Sequence, residues 1–186
     1  MTGKLFIVAT PIGNLSDITL RAIDILKNVD IVLAEDTRHS KKLFTHYEIN
    51  TSIRAFHEHN EREKTDSIIA EINDGKQVAL ISDAGTPLIS DPGFVLVSTA
   101  KKEGIDVVPI PGPSALITAL SASGLAIDKF TFFGFLPSGQ AARLKMLQAK
   151  KNLKETIIFY ESPKRILSTL EDLLKVFGAS RAVCIA

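Results

Sequence analysis

The sequence predicts an α/β protein with a mainly parallel sheet in an N-terminal domain, followed by a second, truncated α/β domain. Two observations carry this prediction. Over the first 125 residues, short apolar runs alternate with segments whose apolar residues recur at helical spacing. The apolar runs are nearly continuous, which is typical of parallel strands that are covered on both faces. The order of the strands is left open by a pattern of this kind.

The apolar runs predict five strands in the first domain, over residues 5–10, 31–34, 52–56, 77–82 and 106–110. The first helix between them carries Leu20, Ile23 and Leu26 on its apolar stripe, with Asp17 or Ser16 as its N-cap. Three further helices end at a glycine: one that contains Ile68, Ile69 and Ile72 ends before Gly75, one over 94–103 ends before Gly104, and one that opens at Pro113 ends at Gly124.

The pattern changes after residue 125, which predicts domains over 1–125 and 126–186. An aromatic strand over 130–136 is followed by the turn Pro137-Ser138-Gly139 and a basic helix. A strand over 156–160, a helix that starts at Ser162 and Pro163, and a strand over 181–186 complete the predicted elements. Three strands and two helices make a thin core, so we expect that the second domain is incomplete and that the chain is truncated.

The composition indicates a globular protein without a disulfide framework. Of the 186 residues, 45% are apolar and 23% are charged, and the formal net charge is +1. This charge disfavours a surface built entirely for nucleic acid. Cys184 is the only cysteine, and the sequence contains neither a membrane-spanning apolar run nor a secretory signal, so we expect a cytoplasmic protein.

Two similar tetrapeptides mark the most informative segment of the chain. Ser82-Asp83-Ala84-Gly85 and Ser90-Asp91-Pro92-Gly93 bracket Thr86-Pro87-Leu88-Ile89, directly after an apolar run. Glycine and proline fix a backbone shape in which amide groups approach a ligand closely. We name residues 82–93 the 82–93 loop, and we expect its first half to face a small molecule and its second half to shape the return to the next helix.

Polar or turn-forming residues also follow the other four strands of the first domain. They are Thr10-Pro11-Ile12-Gly13-Asn14, Glu35-Asp36-Thr37-Arg38, His57-Glu58-His59-Asn60 and Pro111-Gly112-Pro113-Ser114. In an open parallel sheet, ligands bind outside the carboxyl ends of the strands. Each segment alone is explained by an ordinary turn, but five of them at one edge of a sheet predict a binding site.

The kind of ligand is narrowed by two missing motifs. The sequence has neither Gly-x-Gly-x-x-Gly after the first strand nor a phosphate loop that ends in Gly-Lys-Ser/Thr. This favours a nucleoside-like, zwitterionic ligand that is held by backbone groups and apolar walls. His57 and His59 beside Glu35 and Asp36 are compatible with a metal site, but contact with a substrate or with each other is the favoured interpretation, so we expect no metal.

Basic residues are concentrated in two groups. One group is Arg38, His39, Lys41 and Lys42, and the other is Arg143, Lys145, Lys150, Lys151 and Lys154, with no acidic residue among them. The simplest interpretation is two solvated helix faces. Contact with nucleic-acid phosphates is the alternative.

These segments together resemble the tetrapyrrole methylase superfamily, in its ribosomal RNA branch. The opening segment Leu5-Phe6-Ile7-Val8-Ala9-Thr10-Pro11-Ile12-Gly13-Asn14-Leu15 is similar to the first motif of that superfamily. Further matches are Ala34-Glu35-Asp36-Thr37-Arg38, His57-Glu58-His59-Asn60, the 82–93 loop, Pro111-Gly112-Pro113-Ser114-Ala115, Phe133-Gly134-Phe135-Leu136-Pro137 and Phe159-Tyr160-Glu161-Ser162-Pro163. Ser82-Asp83-Ala84 stands where tetrapyrrole enzymes tend to have Gly-Asp-Pro, which favours the RNA branch over a porphyrinoid substrate.

The resemblance implies a two-domain tetrapyrrole methylase-like fold that binds S-adenosylmethionine (SAM) in a cleft between its domains, usually as a homodimer. In relatives, the loop after the fourth strand and the Pro-Gly-x-Ser turn contact the cofactor. The corresponding residues of this sequence are Asp83, Ala84, Gly85, Leu88, Ile89, Ser114 and Ala115, with Pro11, Phe159 and Tyr160 as additional walls. Relatives continue beyond the position of Ala186, so the resemblance leaves open whether a chain of 186 residues is active.

The RNA branch also implies a reaction, which is methylation of a ribose 2′-oxygen of a cytidine in the decoding centre of 16S ribosomal RNA. Candidate proton acceptors for the ribose hydroxyl, left unranked, are Glu35, Asp36, His57 and Glu58. Residues expected to meet RNA phosphates are Arg38, Arg143, Lys145, Lys150 and Lys151. Two alternatives stay open: SAM-dependent C-methylation of a tetrapyrrole, and a non-catalytic SAM-binding module if 186 residues is the natural length.

Overall fold

The computed structural model describes residues 2–186, in which strands and helices alternate as the sequence predicts. The strands are β1 (Lys4–Val8), β2 (Ile31–Ala34), β3 (Ser52–Ala55), β4 (Val78–Ile81), β5 (Asp106–Ile110), β6 (Phe130–Phe135) and β7 (Thr156–Tyr160). The helices are α1 (Leu20–Asn28), α2 (Thr37–His46), α3 (Glu61–Asn73), α4 (Phe94–Lys102), α5 (Ala115–Ala122), α6 (Gln140–Gln148) and α7 (Ile166–Phe177), and a short 3-10 helix covers Leu15–Asp17.

The chain divides into two compact units, of which the first ends at Ala115 and the second covers Leu116–Ala186. The division falls at the start of α5, so most of that helix belongs to the second unit. The domain boundary that the sequence predicts, after residue 125, lies beyond α5. This difference concerns one helix and leaves the five-stranded sheet whole in the first unit.

The first unit contains a five-stranded sheet with the order β3-β2-β4-β1-β5. Every strand pair in it is parallel. The prediction of a parallel α/β sheet is therefore confirmed. Because the strands are parallel, their carboxyl ends lie at one edge of the sheet, and the loops that follow them are neighbours in space.

The two faces of this sheet carry separate apolar cores. Successive side chains of a strand point to opposite faces, so Val32 lies in one core and Leu33 in the other. All four residues of β2 and all four of β4 are buried, which is why these two strands read as continuous apolar runs. Burial of a side chain of this size contributes roughly 1.5–3 kcal/mol, so the central strands fix the register of the loops that follow them.

The second unit contains a two-stranded parallel sheet of β6 and β7 and a small core of Leu136, Leu147 and Val176. The strand predicted over 181–186 is wrong, because these residues form no strand in the structure. A strand needs a neighbour that satisfies its backbone groups, and apolar character alone does not provide one. Val183 and Ile185 of this segment are exposed.

Two details of the helices differ from the sequence prediction. Thr19 is the N-cap of α1 and its hydroxyl oxygen accepts the Ala22 amide at 3.1 Å, whereas Ser16 and Asp17 lie in the 3-10 helix. Helix α2 begins directly after Asp36, which caps it. The sequence pattern does not predict this helix, because its two buried apolar residues, Leu43 and Phe44, both lie near its C-terminal end. Within residues 2–186, every helix is too short or too polar to cross a membrane.

Candidate active site

The 82–93 loop follows β4 at the centre of the sheet and is joined to the loop that follows β1. The Thr10 amide donates to the Gly85 carbonyl oxygen at 2.9 Å, and the Gly85 amide donates to the Thr10 carbonyl oxygen at 3.0 Å. The buried Thr10 hydroxyl donates to the Ser82 carbonyl oxygen at 3.0 Å. The Ser82 hydroxyl in turn donates to the Gly85 carbonyl oxygen at 3.0 Å. These bonds satisfy buried polar groups and fix the first half of the 82–93 loop to Thr10 at the end of β1.

The same loop is also bonded to the loops that follow β2 and β5. The Asp83 carboxylate accepts the backbone amide of Asp36 at 3.1 Å. The Thr86 hydroxyl donates to the Pro113 carbonyl oxygen at 3.0 Å. The 82–93 loop is thus hydrogen-bonded to the loops that follow β1, β2 and β5.

The backbone of the 82–93 loop is unusual in four places. Gly85, Leu88, Ser90 and Gly93 all have positive φ, with values of 87°, 71°, 68° and 127°. At Gly93 a side chain is also excluded by packing, since a Cβ atom there would lie 2.6 Å from Cδ2 of Leu80. Non-glycine residues hold such conformations only where the surroundings impose them. The loop shape is therefore set by tertiary contacts as well as by its glycines.

The predicted cofactor residues of the first unit all belong to this edge, but they differ in exposure. Ala84, Ile89 and Ala115 are exposed, Pro11, Asp83 and Ser114 are partly buried, and Gly85 is buried. Leu88 packs against one of the two cores of the sheet. The Leu88 side chain therefore anchors the loop to the core. Of the two apolar residues Leu88 and Ile89, Ile89 is the one exposed to a ligand.

Acidic side chains dominate the electrostatics of the edge. Burial raises the pKa of Asp91 to about 6, and the negative charges of Glu35 and Asp83 add to this effect. Burial also raises the pKa of Glu35, with a further contribution from Asp83. The second half of the loop therefore contributes Asp91 to a group of carboxylates with Glu35 and Asp83, which we call the acidic edge.

The four candidate proton acceptors have different surroundings. Asp36 accepts hydrogen bonds from the amide and guanidinium of Arg38, and these lower its pKa. Glu58 is exposed. Asn60 accepts the His57 amide through its side-chain oxygen at 2.9 Å, so its side-chain nitrogen donates to His57 Nε2, also at 2.9 Å.

The remaining ring nitrogen of His57 is Nδ1, which is buried and has no hydrogen-bond partner within residues 2–186. Since Nε2 accepts from Asn60, the uncharged ring carries its proton on Nδ1. A buried donor without a partner is costly unless a ligand or water satisfies it. In this tautomer Nδ1 is a hydrogen-bond donor and not a proton acceptor.

Arg38 is the exposed cation of this edge. Its side chain is 88% exposed while Asp36 holds the guanidinium at 3.2 Å, which orients it without burying it. It begins a row of exposed basic residues on α2 that continues with His39, Lys41 and Lys42. This placement is compatible with its predicted contact to RNA phosphates.

In the second unit, the two predicted cofactor walls lie on opposite faces of the β6–β7 sheet. Phe159 stacks on Phe133 at 5.7 Å between ring centroids and packs against the small core. Tyr160 packs edge-on against Phe132, and its hydroxyl accepts the Leu116 amide at 3.2 Å. Neighbouring residues of a strand point in opposite directions, so the structure does not bring these two rings together. Of the two, Tyr160 lies outside the small core.

The prediction that Arg143 contacts RNA phosphates is corrected by its burial. Arg143 is only 3% exposed, and its guanidinium forms a bidentate ion pair with buried Asp172, with distances of 2.9 and 2.7 Å. It also donates to the Ser138 carbonyl oxygen at 3.2 Å. Local sequence does not reveal this pairing, because Asp172 lies 29 residues away on another helix. Arg143 thus joins α6 to α7 inside the second unit.

The lysines of the same group lie outward. Lys145 and Lys151 are exposed. Lys150 is partly buried, and its Nζ lies 4.1 Å from the centroid of the Phe133 ring, a cation–π contact. Predicted RNA contacts of the second unit are accordingly limited to these three lysines and the neighbouring Lys154.

The model of one protein family, described as Tetrapyrrole (Corrin/Porphyrin) Methylases, matches residues 4–186. The chain belongs to the tetrapyrrole methylase family. The match covers both units, so the family resemblance of the sequence motifs is confirmed. A solved uroporphyrin-III-C-methyltransferase from Thermus thermophilus has a TM-score of 0.55 to this structure, at 22% identity over 75% of this chain and 66% of that chain. At this identity the likeness shows the fold alone.

Curated relatives within the family are much more similar in sequence. A protein of Pseudomonas aeruginosa named ribosomal RNA small subunit methyltransferase I is 56% identical over 99% of this chain and 65% of its own length. A protein of the same name from Escherichia coli O157:H7 is 52% identical over 99% of this chain and 64% of its own length. The chain thus spans slightly less than two thirds of the length of these relatives.

Proposed function

We propose that this chain is part of a SAM-dependent methyltransferase that modifies the ribose 2′-oxygen of a cytidine in the decoding centre of 16S ribosomal RNA. The observation that carries this proposal is the identity of 52–56%, over nearly the whole chain, to proteins named as methyltransferases of small-subunit ribosomal RNA. The fold alone would not choose an RNA substrate, because enzymes of this fold act on different substrates.

The acidic edge of the first unit fits SAM as the cofactor. Burial is the main cause of the raised pKa of Asp91 and of Glu35, and the negative charge of Asp83 adds to both shifts, which supports a negative potential at the 82–93 loop. SAM carries positive charge on its sulfonium and ammonium groups, so this potential favours it. Bound SAM supplies an electrophilic methyl group, and the remaining tasks of orientation and proton transfer fall to the protein.

The cofactor is held, in this proposal, by the 82–93 loop and its neighbours. One oxygen of Asp83 accepts the Asp36 amide, and the other is available to a ligand hydroxyl or ammonium group. Ile89 and Pro11 provide apolar surface, and the exposed backbone at Ala84 allows close approach. Ser114 and Ala115 at the start of α5 complete this set. Holding the reactants in line is worth several kcal/mol in a displacement of this kind.

Glu35 is the proton acceptor that the geometry supports best among the four candidates. Asp36 is engaged by Arg38, and both ring nitrogens of His57 are unsuited, because Nε2 faces a donor and Nδ1 carries a proton. Burial and the charge of Asp83 raise the pKa of Glu35, which brings it closer to that of an efficient base at neutral pH. His57 then orients the substrate through its Nδ1 proton.

The RNA is bound outside the acidic edge, since carboxylates repel phosphates. Arg38 and the basic residues that follow it on α2 lie beside the edge and are exposed, and Lys145, Lys150 and Lys151 provide cations in the second unit. Contacts of this kind position an RNA without reading its sequence. We further propose that the protein acts in the cytoplasm as a homodimer and requires no metal.

The experiment that tests this function is transfer of a labelled methyl group from SAM to small-subunit particles, followed by digestion of the RNA to nucleosides. The proposal expects label in 2′-O-methylcytidine. Label in a tetrapyrrole offered in parallel, with none in RNA, would replace the proposal by C-methylation of a tetrapyrrole. Tight SAM binding without any transfer would indicate a non-catalytic module.

A second experiment tests the role of Glu35 within that function. Glu35→Gln removes the proton acceptor but keeps the size of the side chain, so we expect kcat to fall roughly 100-fold while the Kd for SAM stays within a few-fold. Asp36→Asn serves as the comparison, because Asp36 is already engaged by Arg38. An equal loss in both variants would contradict the assignment of Glu35.

A further inference from the structure

The N-terminus of α4 is capped by a side chain from a different helix. Glu61 is the first residue of α3 and is only 7% exposed. Its Oε1 atom accepts the backbone amides of Gly93 at 3.1 Å, Val95 at 2.8 Å and Leu96 at 3.3 Å. The first amides of a helix have no partner within the helix, and Gly93 has no side chain with which to satisfy them. A carboxylate also complements the positive end of the helix dipole.

This cap fixes the C-terminal end of the 82–93 loop, because Gly93 is its last residue. The near end is fixed by the bonds between Gly85 and Thr10, and between Asp83 and Asp36. Between these ends, Leu88 and Ser90 hold positive φ values that residues with side chains rarely adopt. The Leu88 side chain also lies over Gly93, within 3.3 Å of the position that a Cβ atom would take there. The loop therefore keeps its shape only while its second half stays anchored to α4.

Glu61 also lies directly after the His57-Glu58-His59-Asn60 segment. The Asn60 side chain holds the His57 ring and amide, and the next residue is Glu61. Within residues 2–186, the side-chain hydrogen bonds of Glu61 are those that join the start of α3 to the end of the 82–93 loop and the first turn of α4. One carboxylate thus connects the side of the edge that bears His57 with the side that bears Asp83 and Gly85.

We infer that Glu61 is a positioning residue that holds the 82–93 loop in the shape that binds SAM. This inference rests on the proposed function for the identity of the ligand. Glu61 touches no reacting atom in this account. It acts through three backbone amides, and its effect on the cofactor is transmitted by the loop.

The test compares Glu61→Ala with Glu61→Gln in the protein at its natural length, below the melting temperature of each variant. Glu61→Ala removes the acceptor, whereas Glu61→Gln keeps an oxygen that can accept the amides. We expect KM and Kd for SAM to rise about 10- to 100-fold in the alanine variant, with a smaller change in kcat, and to be largely rescued in the glutamine variant. Ile72→Ala is the matched control, because Ile72 is fully buried at the other end of α3.

Three outcomes would overturn the inference: an unchanged Kd in a folded Glu61→Ala variant, equal losses in Glu61→Ala and Ile72→Ala, or no rescue by glutamine. If the alanine variant does not fold, Glu61→Asp withdraws the carboxylate by one methylene and is judged by the same criteria. Hydrogen exchange without SAM provides a separate test, since Glu61→Ala should speed exchange at the Gly93, Val95 and Leu96 amides. If wild-type protein binds no SAM, the proposed function fails, whereas the exchange result still decides whether Glu61 holds the loop.

Discussion

Replacement of Asp91 by asparagine should stabilise the protein at alkaline pH and have no such effect in acid. Burial, with the charges of Glu35 and Asp83, raises the pKa of this carboxyl from 3.8 to about 6. A shift of about two units corresponds to about 3 kcal/mol of unfavourable interaction in the ionised form. Because Asp91 is only half-buried, solvent screening reduces this figure, and we expect about 1.5 kcal/mol at pH 8.

The direction of the pH dependence follows from the raised pKa. The folded state binds the Asp91 proton more tightly than the unfolded state does, so the associated stability is fully present below about pH 4. It is lost as the pH rises through about 6, where Asp91 ionises in the folded protein. Asp91→Asn removes the ionisation. Its advantage over the wild type should therefore be largest at pH 8 and disappear near pH 4.

Urea denaturation followed by circular dichroism at pH 8, 6 and 4 measures the difference in the free energy of unfolding between Asp91→Asn and the wild type. At pH 8 the expected gain corresponds to a rise in Tm of about 3–6 °C for a chain of this size. Asp66→Asn, on the exposed face of α3, is the control for the same replacement at an exposed position and should change stability little. A gain for Asp91→Asn that is absent at pH 8, or equal at pH 8 and pH 4, would refute the reasoning.

Two further predictions concern residues that the structure places differently from their sequence context. Arg143→Met leaves Asp172 buried without its main partner, so we expect Tm in thermal melts to fall by about 10 °C. RNA affinity should be retained at temperatures where this variant is folded. Lys145→Ala should instead leave Tm unchanged and weaken the salt-dependent binding of RNA. Gly93→Ala should lower the free energy of unfolding, measured by urea denaturation, by about 1–3 kcal/mol, because its Cβ would meet Leu80. Gly104→Ala is the control, because the space around Gly104 is open. A loss at Gly93 no larger than the loss at Gly104 would contradict this account.

The sheet of the first unit was predictable because its strands are marked independently of their neighbours. All four residues of β2 and of β4 are buried, and a run of apolar residues is the direct consequence. The location of the loops that follow these strands was also predictable, because parallel strands place their carboxyl ends at one edge of the sheet. The order β3-β2-β4-β1-β5 depends on pairings between distant segments, which periodicity does not encode.

The failures share a physical cause, which is that a residue's role depends on a partner far away in the chain. Arg143 looks like its lysine neighbours in sequence, and only Asp172, on α7, makes it a buried residue. Glu61 reads as the acidic first turn of a helix, whereas it caps another helix more than thirty residues later. The segment over 181–186 has the composition of a strand but no neighbour within the described residues with which to pair.

Asp91 is an instructive intermediate case. The Ser-Asp pair occurs in both halves of the 82–93 loop, and the sequence predicts a site residue only in the first half, at Asp83. Ser90 and Gly93, on either side of Asp91, have positive φ. In this conformation the Asp91 carboxyl is close enough to Glu35 and Asp83 for their charges to raise its pKa. A repeat in sequence was thus a usable signal, and its meaning depended on backbone conformations that the sequence did not reveal.

The measurement that tests the central claim most directly is nucleoside analysis of small-subunit ribosomal RNA from cells that lack the gene for this protein. The account predicts that 2′-O-methylcytidine from the decoding centre is lost, that the wild-type gene restores it, and that the Glu35→Gln variant does not restore it although it still binds SAM. An unchanged level of 2′-O-methylcytidine after deletion of the gene would contradict the proposed reaction.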